Sequence, residues 1–138
     1  MAEYTFIVPG RPSGKDRPRF IRSTGRVFSP DVNNFQAKVM EAAKATGMQP
    51  VEGPVAVSVF ILKRIPESWS KKKKSAMFKQ WCSAIPDVVN VEAAIHDGLK
   101  GIAYHDDRQV ASWWGTRRWS DRDETTIVVR ILGGGNAG

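Results

Sequence analysis

Asp87 and the pair Asp106-Asp107 are the residues whose type and spacing could do chemistry in this chain. A magnesium ion takes oxygen ligands in an octahedral array, and enzymes that cut phosphodiesters use clustered carboxylates to hold it against the scissile phosphate. Asp87 falls at the start of an expected helix, and Asp106-Asp107 falls just beyond that helix's end, before an expected strand. If the strand runs back beside the helix, the three carboxylates approach one another. Taken alone, an Asp-Asp pair is also what a solvated turn contains, and Asp97 reads equally as an exposed helix residue. Other chemistries find less support. His96 and His105 have no third donor at metal-ligand spacing, and Ser23, Thr24 and Ser29 have no neighbouring base to activate a hydroxyl. No phosphate-cradling GxxxxGK[ST] stretch occurs, so ATP use is not indicated. The single cysteine, Cys82, can form no internal disulfide and reads as a semi-buried thiol.

The elements that must position these acids follow from pattern. Tyr4 to Val8 reads as a strand stopped by Pro9-Gly10. An extended basic arm follows, with a possible hairpin turn at Ser23-Thr24-Gly25. Asp31 can cap a first helix whose apolar stripe is Val32, Phe35, Val39 and Ala43, ending at Gly47. Val55 to Leu62 is almost wholly apolar and β-branched at alternate positions, which suits a central strand covered on both sides. A second helix is expected over 70–81, burying Met77, Phe78 and Trp81. A third runs from Pro86-Asp87 to Leu99, with the core stripe Val88, Val91, Ile95 and Leu99. Two β-rich runs, Gln109 to Trp119 and Thr126 to Leu132, are expected to pair as a hairpin across Ser120–Glu124. Trp113, Trp114 and Trp119 with Arg117 and Arg118 could stack bases, or could be core and interface; alternation puts Trp113 and Trp119 on one face and Trp114 on the other.

With 138 residues, 41% of them hydrophobic, the chain can build one core, so a single mixed α/β (α+β) domain is expected over 1–132, with a flexible tail at 133–138. No run of eighteen apolar residues occurs and the first twenty lack a leader's apolar centre, so a soluble, cytoplasmic protein is expected. The net charge of +7 favours a polyanionic partner. Its distribution is more telling. From Arg11 to Arg26 there are six cations and one acid, and from Lys63 to Lys79 seven and one, so the remainder is net acidic. Two cationic segments on an otherwise acidic protein suit a surface that holds a phosphate backbone. Lys71 to Lys74 open a helix, where four cations oppose the dipole at a cost of a few tenths to about 1 kcal/mol each. Either an anionic partner offsets this or the run is merely solubilising.

The order Pro86-Asp87-Val88-Val89-Asn90-Val91, then Asp97-Gly98-Leu99-Lys100-Gly101, then Asp106-Asp107-Arg108-Gln109-Val110 resembles the P-D-x-D-N-L, D-A-L-x-G and D-D-x-Q-V motifs of RusA-type Holliday junction resolvases. Pro9-Gly10-Arg11-Pro12, Lys15 to Phe20 and Pro66 to Lys73 also resemble segments of that family. The resemblance implies a small mixed β-sheet packed with about three helices, an intertwined homodimer, four-way DNA junctions as partner, and paired incisions dependent on Mg²⁺ or Mn²⁺. Carried over by position, Asp87 and Asp107 are the catalytic acids, and Asp87, Asp106 and Asp107 are the candidate metal ligands. Lys15, Arg17, Arg19, Arg22, Arg26, Lys71, Lys72, Lys73 and Lys74 would face DNA.

Three positions depart from the family pattern where the chemistry should lie. Val89 replaces the second Asp, Ala93 replaces a lysine, and Ile85 replaces a cation before the Pro-Asp pair. Valine offers a cation no oxygen. The spacing of 85, 89 and 93 would form one apolar ridge on a helix, which could pack on the sheet or on a partner subunit. Two readings stay open: a resolvase-type nuclease with weakened or lost cleavage, and a structure-selective DNA-binding protein of the same fold that does not cut. A nonspecific basic protein is a weaker third.

Overall fold

The structure is a computed structural model that describes residues 2–13, 19–21, 26–28, 34–84 and 88–133, with side chains described outside 14–33. The strand expected at Val55 to Leu62 lies inside the sheet, as expected. Strands β1 (Glu3–Pro9), β4 (Val55–Arg64), β5 (Val110–Ser120) and β6 (Glu124–Ile131) form a mixed sheet of order β1-β6-β4-β5. Strands β2 (Arg19–Ile21) and β3 (Arg26–Phe28) pair antiparallel, and the turn expected at Ser23-Thr24-Gly25 lies outside the described residues. Three helices complete the fold: α1 (Phe35–Ala45), α2 (Lys71–Met77) and α3 (Val88–Leu99).

One face of the sheet carries the core. Val55, Val57, Val59 and Ile61 of β4 are buried with Ile127 and Val129 of β6 and Phe6 and Val8 of β1, against Phe35, Val39 and Ala43 of α1 and Val91, Ala94, Ile95 and Leu99 of α3. Three of the four predicted α3 stripe residues are buried; Val88 is only half-buried. In α1 the buried residues are those predicted within the described part; the helix begins at Phe35 with Asn34 at its N-cap, so the expected cap at Asp31 is corrected, and Asp31 and Val32 themselves lie outside the described residues. Gly47, at φ 78, ends α1, as a helix stop in the left-handed region requires.

Three expectations are corrected. β4 is covered on one face only: the helices pack against its odd-numbered residues, and Phe60 on the other face is 42% exposed. β5 and β6 do not pair with each other, because β4 lies between them, parallel to β5 and antiparallel to β6. Their short connection steps over the end of β4 and is tied to it: Asp123 Oδ1 accepts the Arg64 N–H at 2.9 Å and the Ser120 carbonyl accepts the Ile65 N–H at 3.0 Å. The parallel β4–β5 pair uses the segment carrying α2 and α3 as its crossover, as parallel neighbours must. Finally, α2 stops at Met77, four residues short of expectation, because Lys79 enters the left-handed region at φ 68 and the chain turns to pair with β5. Phe78 and Trp81 are consequently exposed rather than buried. A second small cluster, Ile65, Cys82 and Trp119 with Trp69, Met77 and Ala84 against it, anchors this region.

α1 and α3 cross closely at Gly98, where an added Cβ would meet Val39 Cγ1 at 2.9 Å and the Gln36 carbonyl at 3.1 Å. Gly98→Ala is therefore expected to cost about 1–3 kcal/mol by overpacking. The cost should shrink in a Val39→Ala background, which removes the clashing methyls. Urea unfolding of the four chains of this cycle measures it, and additive effects would contradict the account.

Candidate active site

α3 buries one side and turns the other outward. Val89, Glu92, Ala93 and His96, spaced at i, i+3, i+4 and i+7, share the outward face, and with Asp97 and Asp107 they line a cleft of about 380 Å³. Val89 is 73% exposed on its wall, so it packs neither on the sheet nor in the core. The sheet alternative for the apolar ridge is thus overturned for Val89. Ile85 lies outside the described residues.

Asp107 reaches this cleft through a tightly determined loop. After Leu99 the chain turns at Gly101, φ 86, bridges Lys100 to Tyr104, and enters a 3-10 turn, Asp107–Gln109. Gln109 uses its whole amide: Oε1 accepts the N–H groups of His105 at 2.7 Å and Asp106 at 3.0 Å, and Nε2 donates to the carbonyls of Val51 at 2.6 Å and Gly53 at 2.9 Å. Asp106 caps the same turn, accepting the Arg108 N–H at 2.8 Å and its Nε at 3.2 Å. That N–H bond, aided by the charges of Arg108 and Lys100, holds the Asp106 carboxyl below the usual range. Asp106 and Gln109 are thereby committed to the turn, and among the described residues Asp107 is the member of the Asp-Asp pair that lines the cleft. Gln109→Ala should leave two N–H groups and two carbonyls without their partners. A loss of about 1–3 kcal/mol is expected in urea unfolding, and an unchanged midpoint would show that the turn stands without it.

Glu92 and His96, the latter reading from sequence as no more than a surface or polar-site residue, line the cleft and are backed by buried groups. His96 Nδ1 lies 2.9 Å from the Tyr104 hydroxyl, its ring packs 4.5 Å from that of Trp113, and its Nε2 lies 3.7 Å from Glu92 Oε1. If Nδ1 accepts the phenol proton, Nε2 turns its hydrogen toward Glu92. Burial raises the Tyr104 pKa, and the charges of Asp107 and Asp97 raise it further. The helical spacing of Glu92 and His96 with Val89 and Ala93 was the available signal. His105, by contrast, sits at the surface beside Glu52, 3.3 Å away.

The segment leading to Asp87 is held by β5. Cys82 donates its N–H to the Arg117 carbonyl at 3.0 Å, and the Arg117 guanidinium, on a residue only 7% exposed, donates to the carbonyls of Cys82 and Ala84. Burial pushes the Cys82 thiol up, against the charges of Arg117 and Lys63. Ile85, Pro86 and Asp87 lie outside the described residues, as do the side chains of Lys15, Arg17, Arg19, Arg22 and Arg26. The backbones of Arg19 and Arg26 lie in β2 and β3.

Lys71 to Lys74 are all in α2, whose start is capped by Ser70 Oγ accepting the Lys73 N–H at 3.1 Å. Lys74 pairs with Glu67 at 3.3 Å and Lys73 sits over the Trp69 ring at 4.1 Å. Lys71 and Lys72 are exposed without an acidic partner among the described residues. Trp113 is half-buried against the core, Trp119 is buried beside Trp69, and Trp114 is exposed on the opposite face, so the alternation read from sequence is the one observed.

The fold and this cleft agree with comparison to known proteins. The family model Endodeoxyribonuclease RusA matches residues 9–131, and the chain belongs to that family. The chain is also 29% identical over 133 residues to the uncharacterized protein YqaN of Bacillus subtilis (strain 168), covering 91% of this chain and 94% of that one. Nucleases of the RusA family are of Holliday junction resolvase type, act on branched DNA and in general depend on a divalent metal. Among the described residues no three His, Cys, Asp or Glu side chains are placed to hold a metal ion, Asp87 lies outside them, and the cleft wall carries the methyls of Val89. The described donors by themselves do not make up a site for a divalent cation. No described helix is long and apolar enough to cross a membrane.

Proposed function

We propose that this chain is a resolvase-type protein that works in the cytoplasm as a homodimer, grips four-way DNA junctions, and has weakened or lost the paired incision of its relatives. The observation that carries this is Val89, exposed on the wall of the Asp107 cleft, where no packing among the described residues explains an apolar side chain. Asp87 and Asp107 remain as the acids of the site, with Asp106 holding the turn beside them. Losing a group that only orients a metal ligand costs roughly 10–100-fold in metal affinity or activity, and losing a ligand costs more. Ala93 removes a cation that could stabilise charge on the phosphate.

Binding is assigned to the basic arm, through Lys15, Arg17, Arg19, Arg22 and Arg26, and to Lys71 through Lys74 of α2. Competition between a four-way junction and a linear duplex at fixed salt tests the reading. The junction should win by at least about tenfold, since phosphate contacts alone carry no structural preference. Equal competition would reduce the chain to a nonspecific basic protein. Arg17→Ala with Arg19→Ala should weaken binding and lower the salt slope by about one unit per lost phosphate contact. An unchanged slope would remove both residues from the interface.

A further inference from the structure

The chain between α2 and Cys82 forms a rigid tip that displays aromatic side chains among cations. Phe78 is 40% and Trp81 62% exposed. The Arg118 guanidinium lies 3.6 Å over the Trp81 ring, and Lys79 Nζ lies 5.6 Å from the Phe78 ring. Lys79 adopts φ 68, a left-handed conformation that costs a non-glycine residue free energy and persists only when its surroundings enforce it. They do so here. The Lys79 N–H donates to the Trp119 carbonyl at 2.9 Å, the Trp119 N–H to the Gln80 carbonyl at 2.9 Å, the Gln80 N–H to the Met77 carbonyl at 2.9 Å, and Arg118 Nη1 to the Lys79 carbonyl at 2.7 Å. The aromatic rings are thus presented on a pre-formed scaffold.

The charge around the tip is of one dominant sign. Lys79 and Arg118 lie on its rings, Lys74 and Arg64 share a cleft with Phe78, and Lys71 to Lys73 open the helix that leads into it. The acids of that cleft are engaged: Glu67 by Arg64 at 2.7 Å and Lys74 at 3.3 Å, and Asp121 by Arg122 at 3.0 Å. Flat aromatic faces interleaved with cations match a polyanion that also offers free π-faces. An acidic peptide would meet the lysines but has little use for the rings, and an intact duplex keeps its base faces stacked away.

We infer that the Phe78–Trp81 tip, with Arg118 and the lysines of α2, binds unpaired nucleotides of a DNA strand. One base stacks on the Trp81 face opposite Arg118, Phe78 supports its neighbour, and the phosphates run past Lys71, Lys72 and Lys79. This rests on the reading that α2 faces DNA and adds to it a preference for strand that has lost its pairing.

Fluorescence anisotropy of the full chain, with a labelled oligothymidine and a blunt duplex of matched length, tests the inference. Trp81→Ala should weaken single-strand binding about tenfold, with duplex affinity and the salt slope left unchanged, because a stacking contact and no phosphate contact is removed. Trp81→Phe should retain most of the affinity. Lys71→Ala with Lys72→Ala should instead weaken both ligands and lower the slope. Equal loss on both DNAs from Trp81→Ala, or no loss on either, overturns the inference while leaving the DNA-facing role of α2 intact. A native chain that binds neither DNA overturns that role as well. If Trp81→Ala changes the oligomeric state in sedimentation, the tip is covered by a second copy of the chain and the inference falls.

Discussion

Val89→Asp combined with Ala93→Lys is expected to raise cutting of a four-way junction in Mg²⁺ by at least about 100-fold over the native chain, the scale on which missing metal and phosphate partners register. The substitutions ask little of the fold. Val89 is 73% exposed and belongs to the first turn of α3, which carries no acid, so an aspartate there also gains a favourable interaction with the helix dipole worth about 0.3–1 kcal/mol. Ala93 is half-buried on the same cleft, and a lysine can lay its stem along the helix and carry its ammonium outward toward the bound phosphate. Strand cleavage on a fixed junction reads the gain, and a melting curve checks that the variant is folded. A folded double variant that stays inert would favour the alternative, a structure-selective binder of the same fold.

Arg117→Met is expected to show the largest loss of stability. Its guanidinium is buried and donates to the carbonyls of Cys82 and Ala84, and methionine would leave both acceptors enclosed without a donor. At about 1–3 kcal/mol for each unsatisfied group, a loss of about 2–6 kcal/mol should appear in urea unfolding. Hydrogen exchange should rise in the segment 82–90, because the clamp ends three residues before Asp87. Arg117→Lys keeps the charge but not the two-pronged geometry, and should fall between. Native stability in Arg117→Met, with unchanged exchange over 82–90, would remove Arg117 from any part in holding the approach to the cleft.

Much of the scaffold was legible because one physical signal dominated each element. Phe35, Val39 and Ala43 mark α1 by helical period, Val91, Ile95 and Leu99 mark α3, and the largely apolar run of β4, β-branched at alternate positions, marks the sheet centre. Where two signals competed, the sequence misled. The runs that became β5 and β6 look like a hairpin because they are adjacent and separated by a charged turn, yet nothing local records that β4 lies between them. The helical pattern of 70–81 continues past Met77, but hydrogen bonds from the next residues to β5 outweigh propensity and end α2 early. In the cleft, the Asp-Asp pair was visible, whereas its division of labour was not. That depends on Gln109 reaching Val51 and Gly53, a contact between positions more than fifty residues apart. His96 is set aside, and Glu92 is not weighed with it, when donor spacing is judged along the chain rather than around the helix.

The central claim is that a RusA-family cleft in this chain has lost its hold on the divalent ion, and calorimetric titration with Mn²⁺ tests it most directly. The native chain should bind at least about tenfold more weakly than the Val89→Asp, Ala93→Lys variant, and should leave a four-way junction bound but intact. Tight Mn²⁺ binding by the native chain, together with efficient paired cutting of the junction, would contradict the account.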